Sequence, residues 1–198
     1  MWWDCLKLDV VDSVWKSTLD EFRDQLAGRD AVPAGVSAAA VSASLGLSLL
    51  IKVIEIARNR KDFLGDPRKV EELLASARAE SQTLARCADE DIVAFADYMS
   101  SRGTPGEAVA LRKAIQTPLG AARAAASGLK LCTEARAITP ASLAPDLGTA
   151  ALVLAGSVRG ILLSVESNAL RLNDRESREE IAREVEILKL LATNHQEW

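Results

Sequence analysis

Apolar and polar positions along this chain recur with a helical period, and the breaks between periodic segments carry helix start and stop signals. The first segment opens at Thr18, where Thr18-Leu19-Asp20-Glu21 has the form of a capping box. Leu19, Phe22 and Leu26 form its stripe, and Gly28 suits the position just past its end. A second segment, over about 37–60, is small or apolar on every side in its first half, which predicts a central helix. A third starts after Asp66 as N-cap with Pro67 in the first turn and runs to about 101. Thr104 and Pro105 open a fourth, and Pro118 is expected to kink or split it, with its second part ending near 135. After a two-proline loop over 137–145, Asp146 is the expected N-cap of a fifth helix reaching about 170. A sixth opens at Asn173 or Asp174 and carries Ile181, Val185, Leu188 and Leu191 on one side. The expectation is an all-α protein. Residues 17–198 form a single bundle of about six helices, preceded by an arm over residues 1–16 that docks through Trp2, Trp3 and Trp15.

The stretch over 84–99 breaks its own pattern. On a helix, Leu84, Cys87, Ala88, Ala94, Phe95 and Tyr98 fall within about 60° of one line, and Asp91 sits at its centre. Asp89, Arg86 and Val93 point the other way, so Asp89 reads as a solvated residue. An ionised carboxylate aimed at a core needs a partner, a wet pocket, or a raised pKa that keeps its proton. The raised pKa suits a general acid or base, whereas a basic residue on a neighbouring helix gives a purely structural pair. Tyr98, on the same stripe, is placed either to donate to Asp91 or to pack in the core. Glu80 also lies near the stripe, but three turns away, about 16 Å, so it forms no dyad with Asp91.

Composition narrows the classes further. Of 198 residues, 48% are hydrophobic and only 4% aromatic, with a net charge of −4, which fits a helical globule and excludes the basic footprint of a nucleic-acid binder. The runs over 36–51 and 147–158 are short and end at Lys52 and Arg159, so they read as core helices and no membrane partner is expected. The N-terminus lacks the pattern of a signal peptide. Cys5, Cys87 and Cys132 have no metal or redox spacing, which fits a reducing cytoplasm, and the lone His195 reads as a tail residue. No metal site is expected. Asn173-Asp174-x-x-Ser177 is similar to part of an isoprenoid-cyclase metal motif, but helix capping accounts for it.

Several segments, in order, resemble the formiminotransferase-cyclodeaminase and methenyltetrahydrofolate cyclohydrolase family. They are Thr18-Leu19-Asp20-Glu21-Phe22 with Leu26-Ala27, Pro33-Ala34-Gly35-Val36-Ser37, and Asp91-Ile92-Val93-Ala94-Phe95. Further along come Ala110-Leu111 with Ala114 and Pro118-Leu119, then Asp146-Leu147-Gly148 with Ala150-Ala151, and Arg159-Gly160-Ile161-Leu162-Leu163-Ser164-Val165 with Asn168. The resemblance implies a cyclodeaminase-like helical homodimer with active sites near the subunit interface. It implies a tetrahydrofolate derivative as small-molecule substrate and no tightly bound cofactor. The reaction would close the methenyl ring with loss of ammonia, or hydrate that ring to the formyl form. In that reading Asp91 and Asp146 are catalytic, Asp91 carrying the proton. Pro33, Ala34, Gly35 and Ser37 offer backbone to the ligand, Arg60 and Lys61 meet its glutamate tail, and Phe95, Tyr98, Ser164 and Asn168 complete the lining. The chain departs from the family at Ala34 and Val36, where it has glycine, and at Ser164, where it has asparagine. Such departures also suit the same scaffold repurposed as a metal-free biosynthetic cyclase on another small molecule, or a non-catalytic homologue.

Overall fold

A computed structural model describes residues 13–63 and 65–194. Trp2, Trp3, Cys5, His195 and most of the expected docking arm lie outside the described residues. Within them are six α-helices: α1 (Leu19–Ala27), α2 (Gly35–Arg58), α3 (Pro67–Ser101), α4 (Glu107–Ala135), α5 (Ala144–Ala169) and α6 (Arg175–Thr193). The all-α expectation is met, and no strand occurs among the described residues.

The starts of α1, α3 and α6 fall where the sequence puts them, whereas α4 begins at Glu107 and not at Thr104 and Pro105, which form a turn before it in which Thr104 accepts from the Gly106 N–H. Thr18 and Glu21 complete the capping box of α1, and Asp66 and Asp174 accept from the backbone N–H groups of Arg68 and Glu176. Asp174 also takes the Ser177 hydroxyl, so the cyclase-like motif is a helix cap. Gly28 ends α1 in extended rather than left-handed backbone, so its lack of a side chain is not required by φ. The α1 stripe is only partly buried: Phe22 is inside, whereas Leu19 is 76% exposed.

The core is a square of four antiparallel helices. α2 and α4 occupy opposite corners, each packing against both α3 and α5, and α6 lies over α5 and α4. The register is fixed by named pairs. Ser37 donates to the Ala88 carbonyl at 3.0 Å, Ser44 meets Ser81 at 3.0 Å, and Arg58 reaches Glu71, so α2 and α3 run in opposite directions. Asp97 pairs with Lys113, while Gly120 faces the Cys87 thiol, so α3 and α4 are antiparallel too. At Gly46 the α2 and α5 backbones come close: an added Cβ would sit 3.3 Å from the Ala150 carbonyl oxygen. α2 and the 141–169 stretch are long and apolar enough to cross a membrane by length and composition. Their place in the square accounts for that apolarity, because it gives each helix two neighbours to pack against.

Pro118 does not split α4, contrary to expectation; the helix runs unbroken from Glu107 to Ala135. A mid-helix proline leaves the carbonyl four residues earlier without its N–H donor. Here that carbonyl belongs to Ala114, and it accepts the Asn168 side-chain amide of α5 at 3.1 Å. The stranded acceptor is satisfied from a neighbouring helix, and the turn is kept.

Candidate active site

Asp91 lies in the third quarter of α3, half-buried, with a side chain that makes no hydrogen bond or ion pair among the described residues. Its surroundings follow from the register. Ala88, one turn before it, takes the Ser37 hydroxyl, which sets the start of α2 beside the Asp91 turn. Across α4, the Asp97–Lys113 and Cys87–Gly120 pairs bracket Asp91 opposite Thr117 and Pro118. α5 approaches α2 where Gly160 meets Ala39, which carries Ser164 one turn further toward the same end. Four helices thus converge around one acid with no counter-charge. Burial lifts its carboxyl from the ordinary 3.8 to about 6. The nearby Cys87 thiol is pushed up as well, by burial first and then by the Glu90 charge. Tyr98 is buried but makes no bond to Asp91, so the donor role is not realised.

The start of α2 is open at its surface. Ala34, its N-cap residue, provides no side-chain hydrogen bond, so no side chain occupies the first backbone N–H groups from within. Ala34 and Gly35 are exposed, and a Cβ at Gly35 would meet nothing within 4 Å. Val36 is only 4% exposed, so its side chain fills the core and leaves the loop surface open. Pro33 is buried, and Ser37 is fully buried, held by its bond to Ala88. Phe95 is half-buried, one turn beyond Asp91, and packs on the core. The Ser164 hydroxyl makes no hydrogen bond among the described residues.

Three of the anticipated site residues are elsewhere, and one is occupied. Asp146 is not the N-cap of α5, because a short 3-10 turn over Ala141–Leu143 feeds the helix from Ala144 and puts Asp146 inside its first turn. It lies at the opposite end of the bundle, about 27 Å along α5 from Ser164. Arg60 and Lys61 follow α2 at that same far end, and Arg60 forks onto Asp62 at 2.9 and 3.0 Å. Neither Asp146 nor this basic pair reaches Asp91 within the chain. Asn168 is at the Asp91 end, but its amide donates to Ala114 and its carbonyl accepts from Arg171 at 2.8 Å, so it is already engaged.

Sequence reasoning also misread Asp89. It accepts the Ser13 hydroxyl at 2.6 Å and the Val14 N–H at 2.9 Å, while the Trp15 indole donates to the Ala85 carbonyl at 2.9 Å. Those partners are 70 or more residues away, and no local pattern announces them.

The described residues form an antiparallel helical bundle in which one half-buried acid, Asp91, makes no ion pair. The sequence profile of the formiminotransferase-cyclodeaminase family matches residues 18–187, and the chain belongs to that family. It is 26% identical over 181 residues to a methenyltetrahydrofolate cyclohydrolase of Methylorubrum extorquens, covering 85% of this chain and 87% of that one. Its fold superposes on the crystal structure of a formiminotetrahydrofolate cyclodeaminase from Thermotoga maritima with a TM-score of 0.87. That match is 21% identical and covers 92% and 93% of the two chains, a likeness of fold.

Proposed function

We propose that this chain acts on a one-carbon derivative of tetrahydrofolate, with Asp91 as the group that moves protons. The observation that carries the reading is a sheltered carboxyl that has no partner and titrates near 6, so that both of its forms are populated near neutrality. In ring closure, the unprotonated acid takes the proton from the attacking amine nitrogen as that nitrogen bonds the formimino carbon. It then returns the proton to the departing nitrogen; a second proton from solvent balances release of ammonia and formation of the methenyl cation. In ring opening, water adds to the methenyl carbon, one proton reaches the ring nitrogen that leaves, and one is released, giving the formyl form. The exposed start of α2 would carry the pterin or its polar edge on unoccupied N–H groups.

The family resemblance also implies a homodimer. Outward-facing Leu45, Leu152 and Leu163, which are 54%, 50% and 69% exposed on the adjoining helices α2 and α5, support one. Asp146, too distant to serve Asp91 of its own chain, would then act across the subunit contact.

Loss of the methenyl absorbance on mixing with methenyl-tetrahydrofolate, and its appearance from formimino-tetrahydrofolate, test both directions. Turnover by the wild type that is abolished in Asp91→Asn is expected. No turnover by the wild type, or equal turnover by the variant, overturns the reading, and a repurposed or non-catalytic scaffold takes its place.

A further inference from the structure

Two features of the chain, a proline in the middle of α4 and an asparagine near the end of α5, are joined by one hydrogen bond at the level of Asp91. Pro118 strands the Ala114 carbonyl, and the Asn168 amide takes it at 3.1 Å. Arg171 donates to the Asn168 side-chain oxygen at 2.8 Å, which fixes the amide orientation with the N–H₂ toward α4. Ala114 is 4% exposed and Pro118 is buried, so water is poorly placed to substitute. The stretch so clamped, residues 114–118, lies opposite Asp91, between the Asp97–Lys113 and Cys87–Gly120 contacts.

From this we infer that Asn168 is a positioning residue: it holds the Pro118 turn of α4 in the place that walls off Asp91, rather than meeting the substrate itself. The demand on Asn168 is created by Pro118. A chain with an ordinary residue at 118 supplies its own N–H to Ala114 and has no need of the clamp. Without the clamp, the carbonyl is left poorly satisfied or the turn shifts, and the shelter over Asp91 loosens. The catalytic consequence rests on the proposed role of Asp91, but the pairing of Asn168 with Pro118 does not.

A double-mutant cycle separates the two. Asn168→Ala in the natural background is expected to lower Tm by about 5 °C, the effect of one poorly satisfied buried carbonyl in a chain of this size. In a Pro118→Ala background the same change is expected to lower Tm by less than half as much, because the helix itself now satisfies Ala114. Equal losses in both backgrounds overturn the pairing. The positioning role is read from the carboxyl resonance of Asp91 in ¹³C-labelled protein, titrated against pH without any folate. Asn168→Ala is expected to move its midpoint toward the ordinary carboxylate value, and the double variant to return it toward the wild-type one. A midpoint that Asn168→Ala leaves in place overturns the positioning role even where the pairing holds. Since neither readout uses substrate, failure of the folate assignment leaves both results interpretable.

Discussion

Asp89 and Asp91 are two residues apart on α3, both half-buried, and they live by opposite rules. Asp89 faces the 13–16 segment and is filled by two donors, the Ser13 hydroxyl and the Val14 N–H. Asp91 faces the bundle and receives none, so burial acts on it unopposed and its carboxyl rises to about 6. The two faces of one helix show that depth alone does not make a carboxyl reactive. What matters is depth without compensation, and the chain compensates one acid with two donors while leaving the other bare.

The contrast is broken most sharply by neutralising the bare acid. Asp91→Asn is expected to reduce turnover of the folate substrate at least about 100-fold, the usual weight of a general acid or base, in the absorbance assay. The same variant sharpens the comparison through stability. Asp91 holds its proton more tightly folded than unfolded, so below about pH 4 nothing is lost. As pH climbs through about 6 the folded state must surrender a proton it favours, and stability falls. A rise of about two units corresponds to about 2–3 kcal/mol. Thermal melts should therefore show Asp91→Asn and wild type nearly equal near pH 4, with the variant higher by roughly 5 °C near pH 8. A gap that does not grow with pH contradicts the assignment of burial as the cause.

Removing the compensated acid should give the reverse picture. Asp89→Ala takes the acceptor from Ser13 and Val14 at a cost of about 1 kcal/mol, a fall of about 3 °C in Tm. Amide exchange at residues 14–16 should quicken, while the Asp91 titration midpoint stays put. The smallest effect is expected at the far end of the bundle, where Arg60→Ala breaks an exposed pair with Asp62 and should leave Tm within error, because solvent screens such pairs.

Most features whose causes are a few residues apart were legible in the sequence, although Thr104 and Pro105 form a turn and leave α4 to start at Glu107. Thr18 with Glu21, Asp66 with Pro67, and Asp174 with Ser177 each announce a helix start by local chemistry, and each start is where they put it. The inward aim of Asp91 was legible too, because helical period fixes which way a side chain points whatever lies beyond it. What escaped were outcomes decided by distant partners. Pro118 reads as a break until Asn168, 50 positions on, supplies a donor to Ala114. Asp89 reads as solvated until the segment over 13–16 folds back on it. Asp146 reads as a cap and a catalytic partner, but a two-proline loop that folds into a 3-10 turn starts the helix earlier, and helix length carries it to the other end of the bundle.

Ala34 has a consequence of its own. Serine or aspartate in its place would close the open turn of α2 and add roughly 1 kcal/mol to the fold. The chain forgoes that gain at the one helix start that adjoins Asp91, while taking it at α1, α3 and α6. α4 and α5 also begin without a side-chain cap, at Gly106 and Leu143, so what sets the α2 start apart is its place beside Asp91, where the proposed function would use its free amides.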